Sequence, residues 1–182
     1  KDHISHISSK LSKSIGIIGR VGKLILHETR VNLYNSLLLP YFAYCHVTWG
    51  VAGPSFLKRL IVLQKKAVRA INLAPFRAHT HELFLDDQIL PVQSMNQYYS
   101  SIFLFKCIHE KCPIMLLSEF QLHLARHPLP ITRNQTLTNM ITPRFRTTFG
   151  QRSLKYSLSK LFNNFIVPLD LHKVSLYTLY YT

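Results

Sequence analysis

In the stretch ELFLDDQIL, Glu82 to Leu90, an aromatic residue, one spacer and two aspartates lie inside an apolar run. Adjacent carboxylates on such a background are raw material for holding divalent cations in nucleotidyl transfer, with Asp86 and Asp87 as the ligands. Two-metal chemistry asks for more than a doublet, because carboxylates from separate strands must converge on ions about 4 Å apart. The acids upstream are Asp2, Glu28 and Glu82, and Asp2 precedes a Ser-rich amphipathic stretch rather than standing in a strand. No Gly-rich or Lys-bearing nucleotide loop accompanies the pair. The doublet also falls between a helical turn that Thr80 can cap and Pro91, where aspartates are ordinary turn residues. Asp86 and Asp87 therefore read as a solvated turn.

Other constellations are weaker. Cys107, His109 and Cys112 are close in sequence, as are His79 with His81 and His123 with His127, but none forms the two spaced pairs of a structural zinc site. Cys107 and Cys112 fall where burial is expected. Serines and histidines are plentiful, yet there is no nucleophile elbow and few acids to orient a base. The sequence points to no catalytic residue and no metal site of its own.

Cations carry more information. Between Pro54 and Asn72, at about 100° per residue, Leu60, Ile61, Gln64, Ala67, Val68 and Ile71 share one side of a helix. Lys58, Arg59, Lys65, Lys66 and Arg69 gather on the other. Farther on, Arg133, Arg144, Arg146 and Arg152 are interleaved with Phe149 and Tyr156. Lys and Arg neutralise phosphates and release counterions, and aromatic rings stack on bases. Lys58, Lys65, Lys66 and Arg69 are the candidate phosphate contacts, with Arg133, Arg144 and Arg146 as a second group.

The whole composition agrees: 22 Lys and Arg stand against 8 Asp and Glu in 182 residues, a formal net charge of +14. A polyanionic partner follows, nucleic acid before an acidic membrane. At 47% hydrophobic the chain can bury a core. Three unpaired-looking cysteines, Cys45, Cys107 and Cys112, argue for a reducing, intracellular compartment, nuclear or cytoplasmic. The first residues are polar and basic rather than a secretory signal, and the missing initiator methionine suggests a fragment of a longer protein. Val31 to Leu57 is free of Lys, Arg, Asp and Glu, but its Asn32, Asn35, His46, Pro40 and Pro54 make buried helices a better reading than a membrane span.

The elements that must position these residues are helices. The stripe Ile4, Ile7, Leu11, Ile15 and Ile18 predicts a helix over 4–18, stopped by Gly19 and Gly22. A second runs from about Glu28 towards Pro40, with Val31, Tyr34, Leu37 and Leu38 apolar. Apolar turns follow to Gly50, then the helix opened by Pro54. Pro91 opens a long one to about Lys111, its second half apolar nearly all round. From about Gln121 the periodicity fades among Pro, Arg and His, apart from a short helix at 159–165. The expectation is a mainly α fold: a small helical bundle over 1–120 and a basic, largely irregular C-terminal segment over 121–182. Tyr44, Trp49, Leu60 and Val68 are expected in the core.

Three segments in order resemble a known family: LYNSLLLPYFAYCHVTWG at Leu33 to Gly50, LKRLIVLQKKAVRAI at Leu57 to Ile71, and APFRAHTHELFLDDQILPV from Ala74 to Val92. They look like the region after the polymerase palm in reverse transcriptases of non-LTR retrotransposons, jockey- and CR1-like above all. Arg133 in ITRNQ and GQRSLKYSLSKLFNNFIVPL, Gly150 to Leu169, resemble that family's closing block, with Phe162 at its tryptophan position and a longer spacing to Pro168. The resemblance runs over about residues 1 to 170. It implies a thumb and post-thumb region that grips RNA template and DNA primer. The missing palm and fingers would carry the catalytic carboxylates and the parent enzyme's Mg. Asp86 and Asp87 would then be a look-alike of that box, and this chain would be inactive alone. The alternative is an orphan remnant serving as a helical protein-interaction module.

Overall fold

A computed structural model describes residues 2–108, 111 and 142–166. The chain divides into two compact units, Lys1–Asn96 and Gln97–Thr182. Among the described residues every regular element is helical.

The first unit opens with α1, Asp2–Val21, which buries Ile4, Ile7, Leu11 and Ile18. Ser8 shares that buried stripe, and its hydroxyl donates back to the carbonyl of Ile4 at 2.7 Å. Gly19 does not stop the helix as expected. A glycine in a helix interior costs only about 1 kcal/mol relative to alanine, too little by itself to end the helix. A 3₁₀ turn over Gly22–Leu24 leads to α2, His27–Leu37. The chain then breaks at Leu38, and Pro40 enters the first turn of α3, Leu39–Ala43, where its missing N–H costs nothing.

Tyr44 ends α3, and Cys45 adopts a left-handed conformation, φ 51°, before α4, His46–Trp49. This reversal turns the Tyr44 ring outward, 67% exposed, against the expectation of a core position. Its carbonyl serves the core instead, accepting from Trp49 Nε1 at 2.6 Å. Trp49, Leu60 and Val68 are buried as expected. A Cβ at Gly50 would fall 2.6 Å from the His46 carbonyl oxygen, so only glycine fits there.

His46 is buried beside Trp49, ring centroids 4.2 Å apart, and its Nδ1–H donates to the Phe42 carbonyl at 2.7 Å. Desolvation pushes its pKa below the ordinary 6.5. The unfolded chain then binds the proton more tightly than the folded one, so this stability is complete above pH 6.5 and is lost progressively as pH falls below it. Urea melts from pH 7.5 down to 5.5 are expected to show wild type losing more stability than His46→Leu. Parallel losses would remove the assignment.

Next comes α5, Pro54–Ile71, packed along α1. It is followed by α6, His81–Asp86, and by α7, Val92–Ile108. Thr80 stands at the N-cap of α6, but its side chain makes no capping bond; its carbonyl accepts from the Phe84 amide. Val92 and Met95 complete the buried set of this unit. The rest of α7 belongs to the second unit, where Ser100, Leu104, Phe105 and Cys107 are buried and Lys106 is exposed.

In the described part of the basic segment, Thr148–Gln151 forms α8 and Leu154–Leu161 forms α9, followed by a π-helical turn at Phe162–Ile166. The helix expected over 159–165 thus begins earlier, because Ser153 caps it by accepting from the Tyr156 amide. Leu104, Leu158 and Phe162 form the core here, with Phe103, Leu154 and Leu161 packed against it. No helix among the described residues is long and apolar enough to cross a membrane.

Candidate nucleic-acid interface

The helix α5 starts where proline is best tolerated, with Pro54 in its first turn. It ends in a Schellman turn: Leu73 is left-handed at φ 52°, the Ala74 amide donates to Arg69 and the Leu73 amide to Ala70. Its buried face carries Leu60, Gln64, Ala67, Val68 and Ile71. Gln64 sits in that face fully satisfied. Its Nε2 donates to Tyr34 Oη at 3.0 Å and to the Leu90 carbonyl at 2.9 Å, and its Oε1 accepts from the Val92 amide at 2.8 Å.

The helix is anchored at its far end by Arg30, which sequence inspection passes over. Arg30 is buried, with Nε donating to the Ile71 carbonyl and Nη1 to those of Gly22 and Ile25, each at 2.8 Å. One guanidinium thus closes the C-terminal ends of both α5 and the α1–3₁₀ segment, where carbonyls lack partners and the helix dipole is negative. Among the described residues no carboxylate pairs with it.

Opposite the buried face, Lys58, Val62, Lys65, Lys66 and Arg69 fall within an arc of about 100°. Lys58, Lys65 and Lys66 are exposed. The span from Lys58 to Arg69 is about 16 Å at 1.5 Å per residue, close to the axial advance of five nucleotides in one strand. Arg69 differs from the lysines: it is half-buried, and its Nε donates to the Ala78 carbonyl at 3.0 Å, fixing the loop after α5. Packing of α1 on α5 also brings Lys23 to a groove shared with Lys66 and Arg69, a neighbour that helical periodicity could not supply.

In the second unit Arg144, Arg146 and Arg152 are exposed, and Phe149 is 86% exposed. Tyr156 packs edge-on against Phe145 at 6.1 Å. Arg152, Tyr156 and Lys160 line a shallow pocket of about 470 Å³. Arg133, together with His109, Cys112, His123 and His127, lies outside the described residues.

The two aspartates sit at the end of α6 in unlike settings. Asp86 ends α6 and Asp87 caps it in a second Schellman turn, with Gln88 left-handed at φ 52°, the Ile89 amide on Phe84 and the Gln88 amide on Leu85. The turn is as expected, but Asp87 is not solvated: its side chain is 1% exposed. Oδ1 accepts from His27 Nε2 at 2.9 Å and Oδ2 from Asn72 Nδ2 at 2.6 Å. Those donors hold both carboxylate oxygens and offset the cost of a carboxylate at a helix C-terminus. Among the described residues no three His, Cys, Asp or Glu side chains converge as metal ligands.

With this geometry in view, comparison with known proteins finds one informative likeness. Over 88 residues the chain is 32% identical to the RNA-directed DNA polymerase from mobile element jockey of Drosophila melanogaster. The likeness is to a reverse transcriptase. It takes in 46% of this chain and 10% of that polymerase, so the chain spans only a small part of the relative's length. The matched portion is shorter than the resemblance over about residues 1 to 170. No family profile matches the chain, and no solved structure matches it.

Proposed function

We propose that the chain is the thumb and post-thumb part of a non-LTR retrotransposon reverse transcriptase, gripping the RNA template and DNA primer while chemistry is done elsewhere in the parent enzyme. The observation that carries the proposal is α5: one face locked into the core by Gln64 and Arg30, the other an exposed row of cations. Such a helix offers phosphates a fixed line of charge. The likeness to the jockey polymerase favours nucleic acid as the source of those phosphates. Arg144 and Arg146 provide a second contact on the other unit. Magnesium would belong to the proposed palm, because both Asp87 oxygens are already engaged by His27 and Asn72.

The test is binding of the full chain to a labelled RNA–DNA hybrid, by fluorescence anisotropy between 50 and 200 mM salt. Because Arg69 also holds the Ala78 loop, the cleaner reversal is Lys58, Lys65 and Lys66 to Glu. The variant is expected to bind roughly tenfold or more weakly at 100 mM salt, with a salt slope shallower by about three. Unchanged affinity would remove the helix face from the interface. Binding no tighter than to heparin would instead support a helical protein-interaction module whose basic face is incidental.

A further inference from the structure

At the C-terminal ends of α1 and α5 lies a groove of about 460 Å³ whose lining includes Gly19, Lys23, Lys66, Arg69, Leu73 and Phe76. We propose that this groove holds an unpaired nucleotide strand, with Phe76 as the stacking platform for a base and Lys23 and Lys66 as its phosphate contacts. The proposal rests on the nucleic-acid reading of α5 and extends it from duplex to single strand.

Three observations favour this occupant. Phe76 is 77% exposed and shares the groove wall with Lys23, Lys66 and Arg69, and an exposed ring beside cations is the combination that non-sequence-specific single-strand sites use. Gly19 occupies a helix interior although a Cβ there would meet nothing within 4 Å. Packing does not demand a glycine, and its effect is to leave the groove open. Leu73 does the converse, putting a half-exposed leucine at a left-handed helix terminus where glycine fits best. Both positions break a local preference on the wall of the same groove, which is where functional demands are expected to override propensity.

The experiment compares a blunt RNA–DNA hybrid with the same hybrid carrying a single-stranded RNA overhang, and with an abasic overhang of equal phosphate number. Wild type is expected to bind the overhang hybrid about tenfold tighter than the blunt one, and to lose most of that gain when the overhang is abasic. Phe76→Ala and Gly19→Leu should each abolish the gain and leave blunt binding unchanged. Both changes are at exposed positions, and leucine is the better helix former at Gly19, so folding is retained. An overhang gain that is absent in wild type, or that survives in both variants, would overturn the groove assignment while leaving the duplex reading intact. Failure of wild type to bind either hybrid would overturn both.

Discussion

Replacing Arg30 with methionine is expected to lower the unfolding free energy by about 3–5 kcal/mol. The methionine keeps the apolar stem but leaves the carbonyls of Gly22, Ile25 and Ile71 without their donor. A buried acceptor left unsatisfied costs about 1–3 kcal/mol, and domains of this size have only about 5–15 kcal/mol in total. Arg30→Lys should be intermediate, because an ammonium keeps the charge but lacks the planar fork that reaches two helix ends at once. Urea denaturation reads the effect as a fall in midpoint with little change in slope. If Arg30→Met melts with the wild type, the guanidinium is not the clamp that its three bonds imply.

Gln64→Leu is expected to cost about 2–4 kcal/mol, although leucine has the better hydropathy for a buried helix face. The substitution strands the Val92 amide and removes the donor to the Leu90 carbonyl and the Tyr34 hydroxyl together. Tyr34→Phe, which removes only one of these bonds, should cost about 1 kcal/mol. A double-mutant cycle between the two measures their coupling. Additive losses would show that the amide acts through Leu90 and Val92 alone.

These two residues show what the sequence made legible and what it did not. The span of α5 followed from Pro54 and a clean periodicity, and the same periodicity placed Gln64 on the buried side and Lys58, Lys65 and Lys66 on the exposed one. Helical position is a local property, so one segment sufficed. Arg30 was invisible because its partners lie at Gly22, Ile25 and Ile71, and nothing in the segment around it says that an arginine is buried. The same limit hid Lys23 and Phe76, which reach the groove only through the packing of α1 on α5. Gly19 reads as a helix stop from propensity, but its cost of about 1 kcal/mol is too small to end α1 by itself. Tyr44 misled as a core residue because hydrophobicity does not record the left-handed turn at Cys45. Arg69 sat on the predicted face, yet its bond to Ala78 gives it a structural duty that charge alone does not disclose.

The Schellman turn that ends α6 accounts for a catalytic-looking doublet without calling on catalysis. Its closing bonds run between backbone groups of Phe84, Leu85, Gln88 and Ile89, so the stop dictates almost nothing about the side chains it passes through. Asp87 is specified by His27 and Asn72, whereas Asp86 is exposed. The doublet therefore contains one constrained letter and one nearly free one. Its information content is that of a single aspartate, too little to distinguish a metal box from chance.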